Sequence, residues 1–330
     1  MDRRNGRATR SDPRPRGRNP RAESPSGWTV TYLTPPRSAE FPVPDPGLEY
    51  RYRSFTFVEG GRRILRAWGT RARPFVVGVE RDGRRWRVLG AGVGPAAART
   101  AVREIFNLQH PIESFYRQVR SEPILSGMER RAFGLRIPRD PSVYESLVHA
   151  IVGQQLSVRA ADTIRHRLDA ATGASMAIAG VRVAVSPAPT RLIRLGTEGL
   201  RSVGLSRAKA AAILSLAHRE LDGAFAPGRF ARRDSEAIVK ALDGEPGVGR
   251  WTAENAVLRG LGRPDVFVAG DLGVRLALAA YWGRTRAVDE EEARAWARSH
   301  YQGWGSYATM YLWRRWLLDG TPRPGRRRAP

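Results

Sequence analysis

The sequence predicts an α+β N-terminal domain, an antiparallel sheet with one helix, followed by an all-helical body. Apolar residues alternate at every second position between residues 28 and 94, helical periodicity dominates after residue 111, and glycine or proline interrupts most joints between the helices. The 330 residues, 42% hydrophobic and 27% charged, are enough for two packed domains of a globular protein.

The N-terminal domain is predicted to span residues 28–110. Its sheet is expected over residues 28–94, and Asp82-Gly83 is the signal of a hairpin turn within it. Residues 95–108 predict a helix, because Pro95 suits a first helical turn and apolar residues recur along one face. A separate binding module would show the same pattern, so that alternative stays open.

The helical body is predicted over residues 111–320. Its helices are expected at residues 112–120, 143–172, 189–196, 198–203, 206–221, 234–242, 251–260, 272–282, 290–300 and 307–318. Loops punctuated by glycine and proline are expected between them.

The chain is strongly basic, with a formal net charge of +24, and this charge indicates a polyanion-binding protein. Residues 1–27 are predicted to be a disordered Arg-rich tail and residues 321–330 a basic tail, because they hold too few apolar side chains to offset the entropy of ordering. The first tail is either a DNA-tethering arm or an extension with no role in binding, such as one from a misassigned start codon.

The composition excludes several classes of protein. The absence of cysteine excludes disulfides, thiolate zinc sites and a four-cysteine iron–sulfur cluster. The chain has no run of about eighteen apolar residues and no apolar signal-peptide core, so we expect no membrane insertion or export. We expect a cytoplasmic, nucleoid-associated bacterial protein.

The most informative segment runs from residue 242 to residue 275. Pro246, Gly247 and Gly249 predict a tight turn that opens onto a helix, so backbone N–H groups point outward where an anion is favoured. The basic charge makes a DNA phosphate the expected anion. Gly247, Val248 and Gly249 are therefore candidate contacts to the DNA backbone.

This pattern, LxGxPGVGxxTA followed by an aspartate twenty residues after Trp251, resembles the helix-hairpin-helix DNA glycosylase superfamily. The segments at residues 144–157, 200–210 and 304–308, with Trp313 beyond, are similar to the alkylpurine branch, the DNA-3-methyladenine glycosylase II-like enzymes. The resemblance covers roughly the last two-thirds of the chain. It implies a two-lobed helical body with the hairpin and Asp271 at the mouth of a cleft, behind a small β-α domain.

The resemblance also implies a function: a monofunctional DNA glycosylase of base excision repair that flips alkylated purines of the 3-methyladenine type. It would hydrolyse the N-glycosidic bond of damaged double-stranded DNA, as a monomer, and leave an abasic site. Two alternatives stay open: a related glycosylase for deaminated, mismatched or oxidised bases, and a non-catalytic helix-hairpin-helix DNA-binding protein.

Asp271 is the candidate catalytic residue. Cleavage of an N-glycosidic bond builds positive charge on the sugar, and a nearby carboxylate stabilises that charge. Asp271 also precedes an apolar-periodic helix, so it is a candidate N-cap, and the two roles are compatible. By the resemblance it stands where the family has its essential aspartate.

Trp251, Asn255 and Trp313 are the candidate base-pocket residues, again by resemblance. Bifunctional relatives carry a lysine nucleophile at the position of Trp251, so its absence predicts an enzyme without lyase activity. An aromatic ring attracts a cationic alkylated base by about 0.5–2 kcal/mol. Trp313 is also a candidate core residue of an apolar helix. Asn255 replaces a tyrosine of the family and either binds a base edge or faces solvent.

Three polar side chains are further candidates by resemblance. Gln155 occupies the position of the wedge that fills the gap left by a flipped base, and Gln154 would approach the orphaned or neighbouring base. Both glutamines are also candidates for capping a loop. Lys209 is a candidate phosphate contact or a solvated helix residue.

No cofactor is expected to be required. The family implies one structural ion, Na⁺ or K⁺, bound by backbone carbonyls of the hairpin. Those carbonyls would belong to Asp243, Glu245 and Val248.

Overall fold

The computed structural model describes residues 27–39, 41, 55–58, 62–70 and 73–319. Both predicted tails therefore lie outside the described residues, apart from Gly27. Within them the predicted fold class is confirmed: an antiparallel sheet with a helix precedes a helical body with two hydrophobic cores. None of the helices in this part of the chain is both long and apolar enough to cross a membrane.

The N-terminal sheet has five antiparallel strands in the order β1-β5-β4-β3-β2. The strands are β1 (Trp28–Leu33), β2 (Phe55–Val58), β3 (Arg63–Thr70), β4 (Arg73–Asp82) and β5 (Arg85–Ala91). The predicted hairpin turn is confirmed, since Asp82 pairs with Arg85 and Gly83 has a left-handed φ of 59°. Helix α1 (Pro95–Ile105) packs its apolar face on one side of the sheet.

Eleven further helices are described in the body. They are α2 (Glu113–Ser121), α3 (Met128–Arg131), α4 (Val143–Gly153), α5 (Val158–Thr172), α6 (Pro189–Ser202), α7 (Arg207–Leu221), α8 (Ser235–Asp243), α9 (Arg250–Ala256), α10 (Leu272–Tyr281), α11 (Glu290–His300) and α12 (Gly305–Asp319). Most begin at a side-chain cap that accepts the backbone N–H three residues on, at Ser142, Ser157, Ser206, Asp234, Asp271 and Asp289.

The body has two lobes because its helices share two separate cores. Helices α4–α9 enclose one core, which we call the hairpin lobe. Helices α2, α3 and α10–α12 enclose the other, which we call the terminal lobe. After the N-terminal domain the chain forms α2 and α3 of the terminal lobe, then α4–α9 of the hairpin lobe, and then α10–α12 of the terminal lobe. The segment between α9 and α10 therefore lies at the junction of the two lobes.

One predicted helix was wrong: residues 143–172 form two helices, not one. The break lies between Gly153 and Val158, where Gln155 has a left-handed φ of 54° and Ser157 caps α5. The apolar spacing that ran through the break is carried by Leu156 and Val158, which are 38% and 53% exposed. Periodicity cannot distinguish such exposed apolar residues from core positions.

The predicted helix at residues 251–260 also differs from the observed one. Helix α9 ends at Ala256 and continues as a π-helical turn, Val257–Leu261. Gly260 there passes so close to α4 that a Cβ atom would lie 2.8 Å from the Cα atom of Val143. The predicted pair at 189–196 and 198–203 is α6, interrupted by a non-helical Gly196.

A β-hairpin inside the helical body was missed by the sequence analysis. Strands β6 (Ser175–Ile178) and β7 (Val181–Ala184) are joined by Ala179 and Gly180, both at positive φ. The indole N–H of Trp28 donates to the carbonyl of Ala179 over 3.2 Å. The β6–β7 hairpin therefore packs against the N-terminal sheet and joins the sheet to the helical body.

A buried ion pair joins the N-terminal sheet to α4. The guanidinium of Arg66 donates to Asp140 over 3.3 Å, and the hydroxyl of Ser146 donates to the other carboxylate oxygen over 2.8 Å. Burial opposes ionisation of Asp140, but His149, Arg66 and Arg259 outweigh it and hold the pKa of this carboxyl well below its usual range. The pair of Arg66 and Asp140 is thus one of the contacts that hold the sheet against the helical body.

Candidate active site

An open cleft of about 1200 Å³ lies between the two lobes. Its walls come from the break between α4 and α5, from α9, from the start of α10 and from α12. Trp251, Asn255, Asp271 and Trp313, predicted as site residues, all line it, as do Gln154 and Gln155. Residues from Gln154 to Trp313 are therefore brought to one cavity.

Asp271 is the most tightly held polar side chain of the cleft. Its Oδ1 atom accepts the backbone N–H of Val274 over 3.0 Å, which makes it the N-cap of α10. The same oxygen accepts the indole N–H of Trp313 over 3.1 Å, and Oδ2 accepts the indole N–H of Trp251 over 3.2 Å. Three hydrogen-bond donors contact the carboxylate here, and such donors suit its anionic form.

The segment before Asp271 is fastened to α12. The hydroxyl of Ser306 accepts the N–H of Val266 over 3.1 Å, and the hydroxyl of Thr309 accepts the N–H of Val268 over 3.1 Å. Both hydroxyls are fully buried. These two hydrogen bonds hold the backbone as far as Val268 against α12, three residues before Asp271.

Both predicted tryptophans line the cleft and pack against the core of the terminal lobe. Trp251 is half-buried in the first turn of α9. Trp313 packs on the core of the terminal lobe and also lines the cleft, so the two roles considered for it from the sequence are compatible. Because both indole N–H groups point at Asp271, the orientation of each ring is tied to the carboxylate.

Asn255 does not face solvent, since it is only 8% exposed. Its side-chain amide donates to the carbonyl of Trp251, one turn earlier in α9, over 2.9 Å. The solvated alternative considered from the sequence is therefore wrong. Contact with a base edge stays a prediction, and it would involve the side-chain oxygen.

The hairpin between α8 and α9 needs glycine at one position for steric reasons. Gly247 has a φ of 75°, and a Cβ atom there would lie 2.4 Å from the Cβ of Ala212 in α7. Gly249 is the N-cap of α9, with no side-chain cap, and no described atom lies within 4 Å of where its Cβ would be. The first N–H groups of α9 are thus left accessible to an anion, and phosphate binding at Gly247, Val248 and Gly249 stays a prediction.

Gln154 and Lys209 fasten the end of α4 to its neighbours. The amide of Gln154 donates to the carbonyl of Gly247 and to the hydroxyl of Thr252, each over 3.0 Å. The ammonium of Lys209 donates to the carbonyls of Val152 and Gln154 over 3.1 and 2.7 Å, and burial lowers its pKa. Lys209 is thus more than a solvated helix residue, while its contact with a phosphate remains a prediction.

Gln155 is the exposed member of the glutamine pair. Its left-handed backbone turns the chain sharply at the rim of the cleft, next to the exposed side chain of Leu156. This position is compatible with the predicted wedge role.

The backbone carbonyls expected to bind Na⁺ or K⁺ lie around the hairpin turn. Asp243 is the last residue of α8, where carbonyls lack intrahelical donors. The carbonyl of Glu245 accepts the N–H of Val248 over 3.0 Å and keeps its second lone pair for another partner. Binding of a monovalent ion by Asp243, Glu245 and Val248 remains a prediction.

Two arginines of the cleft were missed by the sequence analysis. Arg259, in the π-helical turn, is buried and its guanidinium carbon lies 6.0 Å from the ring centroid of Trp313. Arg165, on α5, lines the cleft and pairs with Asp162. Among 56 basic residues no sequence signal distinguishes these two, because only packing decides which arginine is buried.

Comparisons with known proteins agree with this architecture. The family described as "HhH-GPD superfamily base excision DNA repair protein" matches residues 148–299. The chain is 31% identical to "DNA-3-methyladenine glycosylase 2" of Escherichia coli over 68% of its own length and 74% of that protein. It is 26% identical to "DNA-3-methyladenine glycosylase" of Bacillus subtilis over 64% of its length and 70% of that protein.

A solved structure gives the same result for the fold. "3-methyladenine dna-glycosylase from Archaeoglobus fulgidus" superposes with a TM-score of 0.73 at 24% identity, over 88% of this chain and 99% of that one. The superposition extends over the N-terminal sheet as well as the lobes, since it covers more of the chain than the helical body alone. The chain belongs to the HhH-GPD superfamily of base excision DNA repair proteins.

Proposed function

We propose that the protein is a monofunctional DNA glycosylase that flips alkylated purines of the 3-methyladenine type and hydrolyses their N-glycosidic bond. The observation that carries the proposal is the carboxylate of Asp271, held in the wall of the cleft by one backbone N–H and two indole N–H groups. The names of its relatives support the lesion class. The product would be an abasic site in double-stranded DNA.

Asp271 acts electrostatically in this mechanism. As the bond to the base breaks, the sugar gains positive charge, and a fixed carboxylate beside it lowers the energy of that state. Because three donors already hold the carboxylate, little reorganisation is needed when the sugar charge develops.

Trp251 and Trp313 would contact the flipped base. Their ring orientations are tied to Asp271, so a nucleotide whose sugar lies at the carboxylate has its base near the indoles. An alkylated purine is cationic and is attracted to an aromatic face. Arg259 near Trp313 opposes this attraction, so neutral lesions belong in any test of specificity.

Water would be the nucleophile. The chain has two lysines, Lys209 and Lys240, and neither lines the cleft as the structure describes it. Lys209 is instead bound to two carbonyls at the end of α4. An alkylated base is already a good leaving group, so this reaction would require no cofactor. The protein would act as a monomer in the cytoplasm.

The decisive experiment is a lesion panel. Base release is measured from duplexes that carry 3-methyladenine, 7-methylguanine, hypoxanthine, uracil or 8-oxoguanine, with an undamaged duplex as the control. We expect fastest release of the two methylated purines. Faster release of hypoxanthine, uracil or 8-oxoguanine would contradict the lesion class, and binding without release from any duplex would identify a non-catalytic DNA-binding protein.

A further inference from the structure

A second cleft, of about 780 Å³, lies beside the hairpin and is bordered by α8, α9 and α11. Five charged side chains form an unbroken chain of ion pairs along its wall, which we call the charge chain. In order of contact its members are Glu236, Arg250, Glu254, Arg294 and Glu290. None of them lines the cleft that contains Asp271.

The charge chain begins at the hairpin. Arg250 directly follows the N-cap Gly249, so it belongs to the turn predicted to contact a phosphate. Its two terminal nitrogens donate to both carboxylate oxygens of Glu236 in α8 over 2.8 and 2.7 Å. Its Nε atom donates to Glu254 over 3.0 Å. Arg250 thus clamps the two helices of the hairpin together.

The centre of the charge chain is buried. Glu254 is 1% exposed, and its Oε1 atom accepts from both Arg250 and Arg294, the latter over 2.8 Å. One oxygen therefore bridges α9 of the hairpin lobe to α11 of the terminal lobe. A carboxylate this deeply buried depends on its partners, because an unpaired buried charge is costly.

The charge chain ends at Glu290, which lies beside Gly270, the residue before Asp271. Arg294 donates to Oε1 of Glu290 over 2.6 Å. The other oxygen of Glu290 lies against Gly270, where an added Cβ would be 3.3 Å from it and 3.4 Å from the Cβ of Trp251. Gly270 thus lies between Glu290 of the charge chain and Trp251, the residue that follows Arg250.

We propose that Arg294 is a positioning residue for Asp271, and that the charge chain couples DNA contact at the hairpin to placement of the carboxylate. The inference rests on the proposed glycosylase function. Arg294 joins the buried carboxylate of the hairpin lobe to Glu290 beside the backbone of Gly270. Loss of Arg294 frees Glu290 and lets the segment shift, and misplacement by about 1 Å can slow a reaction by up to about a hundredfold.

The test compares two arginines of α11. Arg294→Gln removes the link between Glu254 and Glu290. Arg298→Gln is the matched control, because it removes the same charge from the same helix, where Arg298 and its partner Glu291 are 60% and 73% exposed. Release of 3-methyladenine is measured in single turnovers at saturating protein, together with affinity for an undamaged duplex.

We expect Arg294→Gln to slow release by about tenfold while affinity stays within about twofold of wild type. Arg298→Gln should leave both unchanged. A rate for Arg294→Gln equal to that of wild type, or a loss confined to affinity, would overturn the inference.

A milder variant guards against misfolding of Arg294→Gln. Glu290 is 44% exposed, so Glu290→Gln weakens the last link at little cost in stability. It should slow release at least about threefold, and the double variant should be no slower than Arg294→Gln alone because both act through one link. If the rate losses of the two single variants add fully in the double variant, Arg294 and Glu290 do not act through a single link. A wild-type protein that releases no base would instead refute the proposed function itself.

Discussion

Replacing Asp271 by asparagine separates the charge of this side chain from its role in capping α10. Asparagine caps helices as well as aspartate does, and its oxygen can still accept from Val274 and Trp313. Its amide would face the indole N–H of Trp251, so one hydrogen bond is lost at a cost of about 0.5–1.5 kcal/mol. For a protein of this size we expect the melting temperature to fall by only about 2–4 °C per kcal/mol.

The effect on catalysis should be far larger. A carboxylate about 4 Å from a sugar cation contributes about 4 kcal/mol at an effective dielectric constant near 20. Each 1.36 kcal/mol of barrier is about a factor of ten in rate, so Asp271→Asn should release 3-methyladenine about a thousandfold more slowly. Affinity for DNA should be unchanged or slightly higher, because a negative charge has been removed near a polyanion.

The assay is single-turnover base release, with duplex affinity and thermal unfolding measured on the same samples. Asp289→Asn is the matched control, since Asp289 caps α11 in the same way and lies outside the active-site cleft. Release by Asp271→Asn at more than about a tenth of the wild-type rate would refute the electrostatic role worked out from the Coulomb energy.

Four further predictions concern the other residues of the site. Borohydride should not trap the protein on damaged DNA because Trp251 offers no amine, and a trapped covalent complex would refute the monofunctional mechanism. Gly249→Asp should cap α9 and repel phosphate, weakening binding to any duplex about tenfold at low salt. Gly94→Asp, at the glycine N-cap of α1, is the control and should not weaken DNA binding. Equal DNA affinities of the two variants would exclude the hairpin as the phosphate site. Gly247→Ala should destabilise the fold, as monitored by thermal unfolding, because its Cβ would meet Ala212 at 2.4 Å, and an unchanged melting temperature would contradict that packing. Trp313→Ala should slow release of 3-methyladenine while the steep salt dependence of binding persists, and unfolding of this variant would show that the ring serves the core instead.

The parts of the site that could be predicted from the sequence rest on local signals. A Gly-Pro turn before a helix and an aspartate before an apolar-periodic segment are read over a few residues. The cap at Asp271 and the turn at Gly247 accordingly lie where they were expected. The hairpin of β6 and β7 carries a local signal too, the Ala179-Gly180 turn, which was overlooked among the surrounding helices.

The rest could not be predicted because it depends on contacts between distant segments. Leu156 and Val158 are apolar residues of the kind found in cores, and they are exposed here where they line the cleft. Arginine is usually a surface residue, and Arg259 is buried because its turn packs between α4 and α12. Burial is a property of the packed lobes, which no short window of sequence contains.

By itself the sequence determined the fold class, the basic character and the absence of cysteine chemistry, and it indicated Asp271 as the candidate carboxylate, because each depends on composition or on short motifs of the chain. Only the tertiary structure decided what holds that carboxylate. The indoles of Trp251 and Trp313 reach Asp271 across 20 and 42 residues, and the charge chain reaches Gly270 through α8, α9 and α11. These contacts depend on how two separate cores pack along one cleft, which no local pattern of residues specifies.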